Sequence, residues 1–157
     1  MAGLGSDIKD ENIVLDSSYH AKLIDFGSAA FVPQNGRLFD RFAGTVQYCP
    51  PEILQGHKYL GPPQEVWSLG ILLYTLMFAE PPFTDPTTTV QRDPLIPPVS
   101  ARTAHHATTG TPAQLPAATF GYHETAVDLL KWMLAKRPED RPTIDRVVTH
   151  PWMALSL

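Results

Sequence analysis

The sequence predicts an α+β domain that is mainly helical and carries one short β-hairpin. Three observations lead there. Two short apolar runs, "IVL" at 13–15 and "KLI" at 22–24, flank a polar turn. The stretch "QEVWSLGILLYTLMFA" is apolar nearly all round, as a centrally buried helix must be. Further on, "HETAVDLLKWMLAKRPEDRPTIDRVVTHPWM" returns to helical spacing.

Each element follows from its local residues. The runs at 13–15 and 22–24 are joined by "DSSYHA", whose polar and turn-forming residues suit a hairpin. Strands this short need a larger body to pack on, and the apolar helix of about four turns supplies it. Pro81 and Pro82 mark its end. From Thr84 to Gly121 the chain turns to Pro, Thr and Ala with few large apolar side chains, which predicts little regular structure. Val127, Leu130, Met133 and Leu134 then share one face of a helix closed by Pro138, and Thr143 is placed to cap a shorter one. The chain divides accordingly into 1–83, an irregular insert at 84–121, and 122–157. It contains no internal repeat.

Composition narrows the function classes. A chain of 157 residues, 43% hydrophobic, can bury one substantial core. A net charge of -4 and a pI near 5.8 argue against a general binder of nucleic acid or anionic membrane, which needs a concentrated positive field. The single Cys49 can form no intrachain disulfide, which favours a reducing, intracellular setting such as cytoplasm or nucleus. The longest apolar stretch, "LGILLYTLMFA", is too short to span a bilayer, and the first residues lack a signal-peptide pattern. Nothing in the sequence sets an oligomeric state.

The chemistry gathers around "AKLIDFGSAAF", where an apolar run meets Asp25, Phe26 and Gly27. Alone, that is a strand ending in a turn. Its position says more, because Asp7, Lys9 and Asn12 stand in the arrangement D-x-K-x-x-N, Asp7 being eighteen residues before Asp25. "GTVQYCPPE" at 44–52, "VWSLGILLYTL" at 66–76, "PPF" at 81–83, "RPEDRPT" at 137–143 and "HPW" at 150–152 follow in order. Together these segments resemble the large lobe of serine/threonine protein kinases, over about 1–83 and 122–154. Within that superfamily "DIKDENIV", "KLIDFGSAA" and "GPPQEVWSLGILLYTL" are most similar to the PAS kinases.

The resemblance implies a protein-kinase-like (α+β) large lobe and ATP-dependent phosphoryl transfer to Ser or Thr of a protein substrate. Such transfer spreads negative charge over phosphate oxygens and calls for cations held by hard oxygen ligands. It implies that Asp7 accepts the substrate hydroxyl proton and that Lys9 stabilises the transferred phosphate. Asn12 and Asp25 hold Mg²⁺ and through it the nucleotide, and Phe26 and Gly27 complete the D-F-G element. Thr45 lies beside Asp7 and Lys9 and favours a Ser or Thr acceptor. Glu11 contacts a basic residue of the substrate, and Arg141 pairs with Glu52 to tie the activation segment to the lobe. The implied cofactors are ATP and Mg²⁺. The implied partner is a protein, with no role for nucleic acid or membrane.

Several positions depart from that pattern. Residues before Asp7 encode neither a Gly-rich phosphate-covering loop nor the strand Lys of a small lobe. Gly5 and Ser6 replace a His-Arg pair, Arg41 stands about where a phosphorylatable Thr often lies, and Pro50 replaces an Ala. Glu65 takes the place of a buried Asp, and Thr75 that of a second acidic substrate contact. The expectation is a kinase by family with weak or no transfer from these residues alone. A non-catalytic substrate-binding or decoy module and a truncated product without function are the alternatives.

Overall fold

A helix apolar on every side has to be surrounded, and the architecture is organised by that requirement. A computed structural model describes residues 3–4, 7–31, 37–97 and 117–154, with side chains described over 7–31, 37–97 and 124–154. Gly5, Ser6 and residues 98–116 of the expected insert lie outside the described residues.

The expected hairpin is present. Strand β2, Ile13–Leu15, pairs antiparallel with β3, Ala21–Leu23, setting Ile13 opposite Leu23. The second strand starts one residue earlier than the apolar run, because the turn residues are used differently. Asp16 accepts from the backbone N–H of Ser18 and of His20, both at 2.9 Å, and Tyr19 takes the left-handed conformation at φ 61°. Ile24 falls beyond the ladder, yet its N–H still donates to the Asn12 carbonyl at 2.8 Å. A second ladder was not expected: β1, Gly3–Leu4, pairs antiparallel with β4, Ala30–Phe31. Two-residue strands carry too little periodicity to read in a sequence.

Helix α1, Pro51–Leu54, is followed by the central helix α2, Gly61–Phe78. The latter starts earlier than the run from Gln64 suggested. Proline in a first turn gives up an N–H that would have no helical partner, so Pro62 extends the helix rather than breaking it. Ala79 closes it in the left-handed region at φ 60°, its N–H donating to the Thr75 carbonyl at 2.8 Å. Trp67, Ile71, Leu72 and Tyr74 of α2 pack with Tyr48, Phe83, Leu130 and Leu134 in the main core. Val66 joins Leu129, Met133 and Val147 in a second cluster.

The stretch from 84 is not irregular throughout. Helix α3, Pro86–Gln91, forms behind a capping box, in which Asp85 Oδ1 accepts the Thr88 N–H at 2.9 Å and Thr88 Oγ1 accepts the Asp85 N–H at 3.2 Å. Lys136 Nζ donates to the Thr89 carbonyl at 2.7 Å, and the Tyr74 hydroxyl donates to the Leu95 carbonyl. Capping and docking override the weak helix propensity of a Thr run. At the other end, helix α4, Ala117–Met133, begins before residue 122. Its core face is also shifted: Ala126 and Leu129 are buried beside Leu130, Met133 and Leu134, whereas Val127 is half-buried. Helices α5, Ile144–Val148, and α6, Pro151–Ala154, complete the described chain. Thr143 precedes α5 as expected, but its side chain makes no capping bond; its carbonyl receives the N–H groups of Arg146 and Val147 at 3.0 Å. No helix among the described residues is long and apolar enough to cross a membrane.

Two predictions follow from this packing. A methyl group on Gly70 would lie 2.9 Å from Leu134 Cδ2 and 3.1 Å from Met133 Cβ, so glycine lets α2 approach α4 without displacing these side chains. Gly70→Ala is expected to lower stability by about 1–3 kcal/mol through overpacking, read as a lower urea midpoint. Lys136 Nζ sits 4.2 Å from the Phe83 ring centroid and 5.4 Å from that of Trp67. Burial pushes its ammonium down to about 8, with Asp93 opposing the shift and Arg141 adding to it. Between pH 8 and the ordinary lysine value the unfolded chain holds a proton that the folded chain has released, so this group's contribution to stability rises with pH there. Lys136→Met should remove that rise, seen as a stability difference between the two proteins that changes steadily across the window.

Candidate catalytic site

The residues singled out in the sequence fall on two facing loops and one strand end. Asp7 and Lys9 precede the 3-10 turn Asp10–Asn12, which runs directly into β2. Thr45 opens a matching 3-10 turn, Val46–Tyr48. Asn12 is buried, and its Nδ2 donates to the Asp7 carbonyl at 2.9 Å and to Asp7 Oδ2 at 3.3 Å. That commitment of the amide nitrogen leaves Asn12 Oδ1 as the free acceptor of the pair.

Asp7 is the hub. Its Oδ1 accepts both the backbone N–H and the hydroxyl of Thr45, each at 2.9 Å, while Oδ2 lies 3.1 Å from Lys9 Nζ. Lys9 Nζ also donates to Thr45 Oγ1 at 3.0 Å and lies 3.4 Å from Glu11 Oε2. Burial raises the Asp7 carboxyl, but the bonds from Thr45 and Lys9 outweigh it and hold the group below the usual aspartate value. The Lys9 ammonium is raised, chiefly by its bond to Asp7, against a smaller opposing effect of desolvation. Both groups stay charged through neutral pH.

Asp25 lies one residue past Ile24, whose N–H is bonded to the Asn12 carbonyl, so the strand pair brings the ends carrying Asn12 and Asp25 together. Asp25 is left-handed at φ 58°, a conformation aspartate tolerates better than most residues. Its Oδ1 accepts the Gly27 N–H at 3.0 Å, and a Cβ on Gly27 would come within 3.0 Å of that same oxygen. Gly27 thus gives the carboxylate its place. Phe26 is 63% exposed. Glu11 is exposed at the rim and Thr45 is half-buried.

Glu52 and Arg141, 89 residues apart, meet in a buried fork with Nη1 to Oε1 at 2.8 Å and Nη2 to Oε2 at 2.7 Å. Arg141 further donates to the carbonyls of Ala135 at 2.9 Å, Pro63 at 3.0 Å and Lys136 at 3.1 Å, and its guanidinium lies 4.9 Å from the Trp67 ring centroid. Pro50, buried, caps α1 just before Glu52. The Arg41 carbonyl accepts the Tyr59 hydroxyl at 3.0 Å, next to a bridge between Phe39 and Tyr59 whose rings stack at 5.4 Å. Thr75 donates into its own helix, to the Ile71 carbonyl at 2.9 Å, and Glu65 is half-buried.

Sequence reasoning missed Asp10, Tyr48, Gln64 and Ser68. The Tyr48 hydroxyl donates to Asp10 Oδ1 at 2.8 Å, while Tyr48's carbonyl accepts from Ser68 Oγ at 3.1 Å, itself bonded by Gln64 Nε2 at 3.0 Å. One signal was available: Asp10 follows Asp7 by the same three residues that separate Tyr48 from Thr45.

An Asp25 just past the hairpin, a loop carrying Asp7, Lys9 and Asn12, and a Thr45 loop locked to the helical body by Glu52 and Arg141 are the arrangement of a protein kinase large lobe. The chain belongs to the protein kinase family: a family model described as "Protein kinase domain" matches residues 4–153. Among curated proteins, the PAS domain-containing serine/threonine-protein kinase of Mus musculus is 40% identical over 147 residues, which is 94% of this chain and 9% of that protein. Serine/threonine-protein kinase PSK1 of Saccharomyces cerevisiae is 36% identical over 149 residues, 95% of this chain and 9% of its own length. Serine/threonine-protein kinase ppk6 of Schizosaccharomyces pombe is 38% identical over 146 residues, 93% of this chain and 16% of its own. The chain thus spans a small part of each relative's own length, and its family is that of the serine/threonine protein kinases.

Arg141→Met is expected to strand Glu52 as an unpaired buried carboxylate and to cost about 3–5 kcal/mol. Adding Glu52→Gln should recover part of the loss, since the orphaned charge is then gone. Urea unfolding of the two variants checks both statements.

Proposed function

We propose that this lobe positions the hydroxyl of a protein Ser or Thr for phosphoryl transfer from ATP. The observation that supports it most is the convergence of Thr45 and Lys9 on the Asp7 carboxylate. Asp7 accepts the substrate hydroxyl's hydrogen bond and orients its oxygen. A carboxyl held below its ordinary value is a weak base, so Asp7 takes the proton late, as the hydroxyl oxygen loses electron density. Lys9 places a compact positive charge beside that oxygen, where charge develops on the transferred group.

Asp25 and the free Oδ1 of Asn12 fit magnesium, which takes one or two protein oxygens and completes its shell with phosphate oxygens and water. When bound with ATP, the ion neutralises the phosphate charge. Asp25 and Asn12 hold that position from two paired strand ends, and the bond of Asn12 to Asp7 fixes its distance from the acceptor. Glu11, exposed at the rim, selects a basic residue in the substrate. Residues 1–83 and 122–157 form the catalytic lobe in this reading, and the first part of the intervening segment docks onto it through Thr89 and Leu95. The setting is intracellular, in keeping with a single buried thiol.

Slow transfer by these residues alone belongs to the same reading, since a Gly-rich loop over the phosphates supplies much of the positioning in this chemistry. A second reading, acceptor binding without transfer, is favoured by the contrast between a fully bonded acceptor side and an exposed Phe26.

The test is transfer from labelled Mg-ATP to a basic Ser peptide. Slow transfer that falls by about 100-fold in Asp25→Ala, with peptide affinity unchanged, is expected for a group acting on the transition state. Equal transfer in both proteins would sink the assignment of Asp25. Peptide binding with no transfer in either would establish the second reading.

A further inference from the structure

The contact between Asp10 and Tyr48 uses none of the groups assigned to the reaction, although it joins the same two loops. Those loops are tied twice. The first tie runs from Thr45 to Asp7 Oδ1 and Lys9 Nζ. It consists of the atoms that a substrate hydroxyl and a transferred phosphate also need, so it weakens when substrate arrives. The second tie, the Tyr48 hydroxyl on Asp10 Oδ1 at 2.8 Å, can persist through that exchange.

We propose that Tyr48 is a positioning residue: by holding Asp10 it keeps the acceptor loop in register with the catalytic loop while Asp7 and Lys9 are engaged by substrate. This rests on the acceptor-positioning reading above. Tyr48 can serve as the fixed end because its ring is buried among Trp67, Ile71 and Leu130, and its carbonyl is held by Ser68 of α2. Asp10 is the adaptable end, exposed and at the start of its 3-10 turn, with its N–H also directed at the Tyr48 oxygen at 3.5 Å. A phenol donating to a carboxylate makes a charge-assisted bond, about twice as strong as a neutral one. Burial, and then the bond to Asp10, push the Tyr48 hydroxyl up to about 12, so it remains a donor at physiological pH. The geometry also matches the equal spacing of the two pairs: with Thr45 on Asp7, the residue three further on in each loop, Tyr48 and Asp10, meets its counterpart.

The test compares Tyr48→Phe, Asp10→Ala, Asp10→Asn and the Tyr48→Phe/Asp10→Ala double variant of the full chain. Two readouts are needed: amide hydrogen exchange, and anisotropy of a labelled basic Ser peptide. Tyr48→Phe keeps the ring in the core, so exchange at 9–12 and 45–48 is expected to rise about tenfold while α2 and α4 stay protected. Peptide affinity should fall by a similar factor. Asp10→Asn keeps an acceptor and should stay within about threefold of the unsubstituted chain, and the double variant should be no worse than either parent single.

Unchanged exchange, a rise that includes α2, or Asp10→Asn as damaging as Asp10→Ala would each overturn the tie. A local rise in exchange with undiminished peptide affinity would overturn its positioning role. An unsubstituted chain that shows the expected exchange pattern but holds no peptide overturns the substrate reading, and the acceptor role with it. Failure of the tie is read from exchange alone.

Discussion

Arg141 has five N–H donors and no way to shed its charge, and in this chain it is buried. Such a group is tolerable only if every donor is met, and that single requirement dictates much of the surrounding architecture. The Glu52 carboxylate must arrive from α1, the Pro63 carbonyl from the first turn of α2, and two carbonyls from the turn after α4. The face of Trp67 closes the remaining side, stacked in turn on Phe83 at 5.8 Å and an interplanar angle of 5°. Segments distant in the chain converge because one cation cannot be left wanting.

The site inherits its order from that foundation. Glu52 follows the acceptor loop by a few residues, so fixing Glu52 fixes the path by which Thr45 and Tyr48 reach the catalytic loop. Ser68 and Gln64 then clasp the loop's backbone from α2. Only at the outer end, at Asp10, Glu11 and Asp25, do the residues become exposed and acidic. Burial falls off from the helical body toward Asp10, Glu11 and Asp25, while charge increases in the same direction.

Those two trends also explain what could be read from the sequence. The central helix and the hairpin announce themselves through runs of apolar residues, and the kinase resemblance through rare residues at fixed spacing. Asp7, Lys9, Asn12 and Thr45 could be picked out in that way, and the structure brings them into contact. Other features left weaker traces. The ladder between Gly3–Leu4 and Ala30–Phe31 is too short to show a period. Helix α3 hides in a Pro and Thr-rich segment because its stability comes from Asp85 and from docking rather than from propensity. Ala126 is in the core although its small side chain gives a weak hydrophobic signal. The pairing of Tyr48 with Asp10 joins residues far apart in sequence, and no local pattern encodes such a meeting.

The distance between Glu52 and Arg141 along the chain bears on how the molecule comes into being. During synthesis Glu52 and the indole of Trp67 leave the ribosome well before Arg141, which pairs with the first and covers the face of the second. Contacts that close a long loop form late, and domains with many of them expose unfinished surface in the interval. For this chain that interval ends only when the segment around Arg141 emerges. Nascent chains stalled short of it leave the aromatic face of Trp67 without its cover, the kind of apolar surface that calls for chaperones.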